Sequence, residues 1–176
     1  MSDSNIIDLD SIEENPLRGR RGDGGVYLVV ADESDEFNLA LRYAARRAIA
    51  GRAHVGILHV IDVDDFQHWS NVEDMMRKEL REEAEKFVWT VAKKINDLEN
   101  LWPVIYIKEG GRIDAVIDVI NEDINIRSLI LGGGTQATGP GKLVTHFTGK
   151  GLSRLRVPVM VVPGHIEPQK IDALAL

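Results

Sequence analysis

Cysteine is absent from the 176 residues of this chain. Without a thiol, the chain has no disulfide framework, no thiolate metal ligand and no cysteine nucleophile. Long apolar runs are missing too. The chain has no run of 18 apolar residues without a charged residue, and its first residues lack the apolar segment of a secretory signal. These absences predict a cytoplasmic protein that does not span a membrane.

Positive charge is also scarce, since 21 Lys and Arg stand against 28 Asp and Glu, for a net charge of -7. The resulting negative field repels a phosphate backbone unless basic residues concentrate on one face. The only basic cluster is Arg18, Arg20 and Arg21. It could contact nucleic acid or an acidic partner, but a solvated arm is the favoured interpretation. We therefore predict no nucleic-acid partner.

The chain is long enough for one domain, with 44% hydrophobic residues to form its core. Residues 1–24 are polar and punctuated by Pro and Gly, and we expect them to form a flexible arm. A single domain should occupy residues 25–165. Residues 166–176 are interpreted as a C-terminal tail.

Short apolar runs alternate with helical patterns along the predicted domain. The five runs, each typical of a buried strand, are Val26–Ala31, His54–Ile61, Val104–Lys108, Ser128–Leu131 and Val157–Val162. Apolar residues at steps of three and four predict four helices between them, the longest covering about residues 72–98. Pro158 lies inside the last run, which indicates an edge strand. The alternation predicts an α/β fold with a five-stranded parallel sheet and helices on both faces, a three-layer arrangement.

A glycine-rich loop follows the fourth predicted strand, with five glycines between Gly132 and Gly141. Backbone N–H groups in such a loop, together with the start of the next helix, can hold phosphate. Neither G-x-G-x-x-G nor the hydroxyl residue of a Walker loop is present. A turn that only lets the strand pass into the helix is the alternative.

No arrangement of residues predicts a catalytic or metal centre. Carboxylates follow the first and second strands at one edge of the sheet, where they could hold magnesium or act as a base, but helix capping and solvation explain them as well. His54 and His59 should lie on opposite faces of one strand, so they do not form a metal pair. No strained nucleophile turn is present. We expect at most weak ATP hydrolysis, and magnesium only with a bound nucleotide.

Several segments together resemble the universal stress protein domain. They are Val29–Ser34, Leu58–Asp62, Glu109-Gly110, the glycine-rich loop and Pro158–Val162, in the order and spacing of that family. The resemblance covers about residues 26–163. It implies a sheet with strand order 3-2-1-4-5, of the adenine nucleotide alpha hydrolase-like type, dimerisation, and in one subclass the binding of AMP, ADP or ATP.

The resemblance also implies which residues would bind the nucleotide. Asp32 and Val60 correspond to positions around ribose and adenine. The family's phosphate pattern falls on Gly132, Thr135 and Thr145-His146, of which only Gly132 keeps its glycine. Gly134, Gly139 and Gly141 could supply similar flexibility nearby, and Lys142, Thr145, His146 and Thr148 could donate to phosphate. The predicted site comprises Ala31, Asp32, Val60, Leu131, Gly132, Gly134, Gly139, Gly141, Thr145, His146, Phe147 and Thr148.

Three functions remain open at this stage. The first is a regulatory module of the universal stress class that binds an adenine nucleotide at the carboxyl ends of the first, second and fourth strands. The second is a nucleotide-free dimer that acts on an unidentified protein partner in the stress response, and the third is an enzyme using the same pocket. We expect the dimer to form through the fifth strand, Val157 to Val162, because an uncovered edge invites pairing.

Overall fold

A computed structural model describes residues 24–62 and 73–175 of the chain. Five strands form one parallel sheet: β1 (Val26–Val30), β2 (His54–Ile61), β3 (Val104–Glu109), β4 (Ile126–Gly133) and β5 (Val159–Pro163). The helices are α1 (Asp35–Gly51), α2 (Glu73–Glu99), α3 (Arg112–Glu122), α4 (Lys142–Phe147) and α5 (Pro168–Leu174), with a 3₁₀ turn at Leu152–Arg154. Within these ranges, no helix has the length and apolarity needed to cross a bilayer.

The strand order is β3-β2-β1-β4-β5, which confirms the predicted fold. β1 lies at the centre because its five residues are nearly all buried, with Leu28 and Val29 fully enclosed. β3 and β5 form the two edges. The edge position of β5 agrees with Pro158, which precedes the strand and accepts a hydrogen bond from the Leu129 N–H through its carbonyl (2.9 Å).

Helices cover both faces of the sheet, so the core has two parts. One face packs against α3 and α4, with Val116 and Phe147 fully buried there. The other packs against α1, α2 and α5, where the small residues Ala40, Ala44 and Ala48 bring α1 close to the strands. This three-layer arrangement leaves the strand ends free to carry a site.

Local sequence sets the bounds of α1. The Ser34 hydroxyl accepts the Phe37 N–H (3.1 Å) and caps the start, and Arg52 ends the helix in the left-handed conformation at φ 52°. The chain then enters β2 directly. Ser34 thereby holds the segment that follows β1 in a defined turn.

Nearly all of the predicted arm lies outside the described residues, whereas the predicted tail contains a helix. Residues 1–23 of the predicted arm, and Asp64 and Asp65 after β2, lie outside the described residues. The segment interpreted as a tail carries α5, whose Ile171 is buried against the α1 face of the sheet. Arg42 and Arg46 of α1 both bond to Asp172 of α5, at 2.6 and 3.2 Å.

Candidate functional site

A cleft of about 700 Å³ opens at the carboxyl ends of the central strands. Its floor is formed by Val30 and Asp32 at the end of β1, by Asp62 after β2, and by Leu131 with Gly132 of β4. The first residues of α3 and α4 form its walls. The chain leaves β1 for β2 on one side and reaches β4 on the other, so this is the point where the strand order reverses and α/β sheets bind ligands.

Asp32 is held in a defined position in the cleft. Its Oδ1 accepts the Ser34 N–H at 2.9 Å and also the Ser34 hydroxyl. Ser34 in turn caps α1, so the carboxylate is fixed by the same turn that starts the helix. These bonds use one carboxylate oxygen, and Asp32 remains part of the cleft lining.

The charges that line the cleft are mixed. Asp32, Asp62 and Asp114 contribute carboxylates, while Arg112 and Lys142 contribute cations from the starts of α3 and α4. Asp114 is itself within 3.2 Å of the Arg154 guanidinium. Three carboxylates against two cations favour a ligand of low negative charge over a highly charged one.

Apolar side chains line the rest of the cleft. They are Val30, Phe37, Ile113, Leu131, Leu143 and Val144. Such a mixture of apolar walls and a few placed polar groups is typical of small-molecule sites.

Gly132 must be glycine for reasons of packing. A Cβ atom on it would lie 2.3 Å from the carbonyl oxygen of Glu36, in the first turn of α1. The end of β4 therefore packs directly on the helix that follows β1. Gly132 lines the cleft, but the close approach to α1 already explains why it is glycine.

Two further loop glycines have a conformational role. Gly139 and Gly141 have φ values of 90° and 100°, which side-chain-bearing residues rarely adopt. Gly141 lies just before the first residue of α4 and lines the cleft together with Lys142, Leu143 and Val144. The glycine loop thus turns the chain so that the beginning of α4 faces the cleft.

The predicted site residues are only partly brought together. Asp32, Leu131, Gly132 and Gly141 line the cleft, whereas the other eight do not. Ala31, Val60 and Phe147 are buried, and Gly134 and Gly139 lie in the loop. Thr145 is exposed, and the Thr148 hydroxyl donates to the Val144 carbonyl within α4 (2.7 Å).

His146 packs against its own part of the fold. Its ring meets Phe147 edge-on with centroids 5.1 Å apart, and its buried Nε2 has no hydrogen-bond partner. A Cβ on Gly151 would come within 2.2 Å of this ring, so the glycine makes room for the histidine. Lys142, Leu143 and Val144, which precede it in α4, line the cleft, whereas His146 does not.

His59 on β2 lies close enough to the cleft to sense its charges. Burial lowers the pKa of the imidazole, and the nearby Arg112 lowers it further, while the Ala31 carbonyl and the Asp32 carboxylate act in the opposite direction. The ring packs on Phe87 of α2, with centroids 5.0 Å apart. The neutral form of His59 is therefore favoured, and the ring is part of the packing between β2 and α2.

Sequence reasoning missed the contribution of α3. Arg112, Ile113 and Asp114 line the cleft because β3 ends at the same edge as β2, and Gly110 at φ 110° turns the chain back over it. In the sequence, the Gly110-Gly111 turn after a predicted strand could have indicated that the start of α3 lies at the cleft. Lys142, a phosphate donor suggested by the sequence but not one of the predicted site residues, also lines the cleft.

Comparison with known proteins gives a consistent result. The universal stress protein family matches residues 27–163. This chain belongs to that family. A search of the curated proteins gives no match.

Solved structures of this family share the fold. The universal stress protein UspA from Lactobacillus plantarum has 17% identity and a TM-score of 0.63, with 78% of this chain and 97% of that one covered. A family member from Burkholderia pseudomallei has 17% identity and a TM-score of 0.60, with 80% and 97% covered. A universal stress protein in complex with cAMP has 16% identity and a TM-score of 0.50, with 80% and 97% covered.

A metal site does not emerge from the described part of this family member. Between residues 24 and 62 and from 73 to 175, no three His, Asp or Glu side chains are grouped as metal ligands.

Proposed function

We propose that this universal stress protein is a regulatory module that binds an adenine nucleotide in the cleft between β1 and β4. The observation that carries the proposal is the position of Asp32: a carboxylate fixed at the strand-order reversal, beside an apolar wall. A ribose hydroxyl can donate to such a carboxylate, and an adenine ring can pack on aliphatic side chains. The solved family member that holds cAMP supports the same ligand class.

The cleft suits each part of the nucleotide differently. Asp32 would accept from the ribose, and the apolar side chains Leu131 and Val144 would contact the base. The phosphate would lie near Lys142 and the backbone at Gly141, with Arg112 on the opposite wall. Of the predicted residues, the nucleotide would thus use Asp32, Leu131, Gly132 and Gly141, all of which line the cleft.

We expect AMP or ADP to bind at least as well as ATP. The three carboxylates around the cleft repel a triphosphate, and Thr135 stands where the family pattern has its second phosphate glycine. Magnesium would enter only with the nucleotide, and hydrolysis would be weak at most. The bound nucleotide would act by favouring one conformation of the module over another.

The test compares two neighbouring carboxylates. Asp32→Ala should weaken AMP binding more than tenfold in calorimetry, because removing the charged partner of a hydroxyl costs about 1.5–3 kcal/mol. Glu33→Ala removes the same charge from an exposed side chain outside the cleft lining and should leave affinity within about twofold. Asp32→Asn removes the charge but keeps an oxygen that can accept from Ser34. It therefore distinguishes a loss of binding caused by the missing charge from one caused by disruption of the Ser34 cap of α1. Equal effects of Asp32→Ala and Glu33→Ala would contradict the assignment.

A second candidate function is a nucleotide-free dimer that binds a protein partner. The edge strand β5 favours it, because Met160 is 38% exposed there and Val161 is only partly buried. An exposed apolar edge is a ready surface for a second copy. The two functions share the dimer and differ in whether the cleft is filled.

A further inference from the structure

Two tryptophans form an exposed aromatic surface far from the cleft lining. Trp89 of α2 and Trp102, which precedes β3, are 57% and 58% exposed. Their rings meet edge to face, with centroids 6.5 Å apart at 69°. We call this pair the tryptophan surface. More than half of each indole faces outward, which is unusual for residues that carry so much apolar area.

Positive charge flanks the tryptophan surface. Lys86 and Lys93 lie one helical turn on either side of Trp89, on the same face of α2. Neither lysine forms an ion pair with any residue in the described ranges. Glu85, the carboxylate nearest in sequence, is within 3.6 Å of Arg81. On a chain with a net charge of -7, this is a local basic and aromatic surface that suits an acidic, apolar occupant.

The chain itself contains a segment of that composition. Residues 3–14 hold five carboxylates and no Lys or Arg, with the aliphatic residues Ile6, Ile7, Leu9 and Ile12 between them. The aliphatic side chains can cover the indoles while the carboxylates face Lys86 and Lys93. Other stretches that combine carboxylates with aliphatic residues and lack Lys and Arg, such as 61–76 and 113–126, overlap β2, α2, α3 or β4.

The connection is long enough to bring the segment there. Gly24 lies beside Arg52, where β1 begins, and its N–H donates to the Arg52 carbonyl (3.3 Å). Trp102 lies two residues before the start of β3, which is parallel to β1 and separated from it by β2 alone. Two strand spacings amount to about 10 Å. The nine residues 15–23 can span up to about 30 Å, which also reaches Trp89.

We propose that residues 3–14 dock on the tryptophan surface of the same chain. The aliphatic side chains bury the two indoles, and the carboxylates pair with the flanking lysines. The docked segment keeps this surface from binding other acidic chains. Its docking is independent of the nucleotide proposed for the cleft.

Tryptophan fluorescence tests this in the full chain. Trp69→Phe as a background leaves Trp89 and Trp102 as the only indoles. In that background Ile7→Ser with Leu9→Ser should reduce docking at least about tenfold, because each buried aliphatic side chain contributes about that factor. The emission should shift to the red and acrylamide quenching should increase. Leu17→Ser is the matched control, an apolar loss outside residues 3–14, and should change neither.

Charge reversal gives an independent readout. Lys86→Glu with Lys93→Glu should expose the indoles as the aliphatic substitutions do, and adding Asp8→Lys with Asp10→Lys should restore protection. Unchanged quenching in the Ile7→Ser, Leu9→Ser protein would overturn the proposal. Protection that disappears on dilution would also overturn it, since the segment would then come from a second copy.

Discussion

Gly132 and Gly111 both line the cleft, but only Gly132 needs to be glycine. The backbone of Glu36 leaves no space for a Cβ atom on Gly132. A Cβ on Gly111 would lie 4.0 Å from its nearest neighbour, the Asp114 Oδ2 atom, and the φ of -69° at Gly111 suits any residue. The glycine that matches the family's phosphate pattern is thus explained by packing between β4 and α1. Evidence for a nucleotide has to come from Asp32 and the start of α4.

Substitution of these two glycines should separate packing from binding. Gly132→Ala should destabilise the fold by about 1–3 kcal/mol or more, because the added methyl group meets rigid backbone. Gly111→Ala should cost less, about 0.5–1 kcal/mol, because Gly111 has space for a methyl group but is the N-cap of α3, where glycine is preferred over alanine. Urea denaturation of both variants measures the difference. A Gly132→Ala protein as stable as the Gly111→Ala protein would show that α1 does not pack as described.

At the level of elements, α3 is held over the cleft by an anchor at its far end. The Tyr106 hydroxyl of β3 donates to Asp123 Oδ2 (2.6 Å), and the Asn125 N–H donates to Oδ1 (2.9 Å). The bond from Tyr106 lowers the pKa of Asp123, with the Asn125 bonds acting in the same direction. Burial, more than this bond, raises the pKa of Tyr106.

The anchor makes part of the stability depend on pH. Because the pKa of Asp123 is lower in the folded than in the unfolded chain, its contribution is present above about pH 4 and is lost as pH falls through the folded value. Tyr106→Phe should cost about 1 kcal/mol at neutral pH and less at about pH 3. Glu122→Gln, which removes an exposed partner of Lys108, should cost less than about 0.5 kcal/mol. Urea denaturation at both pH values checks this, and a Tyr106→Phe loss that does not shrink in acid would contradict it.

The strands were predictable because each is a short apolar run between turn residues, and parallel order follows from the helices between them. α5 was not predicted, since seven residues with one buried apolar side chain, Ile171, give no periodic pattern. The cleft was predicted at the correct strand ends through Asp32 and Gly132. Arg112 was missed because its position at the cleft depends on how α3 starts after β3. That is a tertiary property, which the sequence pattern does not show. Val60 and Phe147 belong to the core on the α3 face. They were assigned to the site because an apolar residue that packs in the core and one that contacts a ligand look the same in sequence.

At the scale of the whole molecule, we expect a dimer through β5. The monomer mass is 19.6 kDa, so light scattering should give about twice that value at micromolar concentration. Met160→Asp places a charge on the exposed part of the edge and should give the monomer. Leu152→Asp, at an exposed apolar position outside the strand, is the control and should leave the dimer intact. A wild-type protein that scatters as a monomer would reject this assembly.

The central claim is that the cleft holds an adenine nucleotide, and the most direct measurement is made on the purified protein itself. Chromatography of what it releases on denaturation, together with calorimetry of AMP, ADP, ATP and cAMP, should reveal a bound or binding adenine nucleotide. We predict that AMP or ADP binds with at least the affinity of ATP, and that Asp32→Ala loses this binding. The proposal would be contradicted if the protein released no adenine nucleotide and bound none of the four at about millimolar concentration. A dissociation constant of that size corresponds to a binding free energy of about -4 kcal/mol.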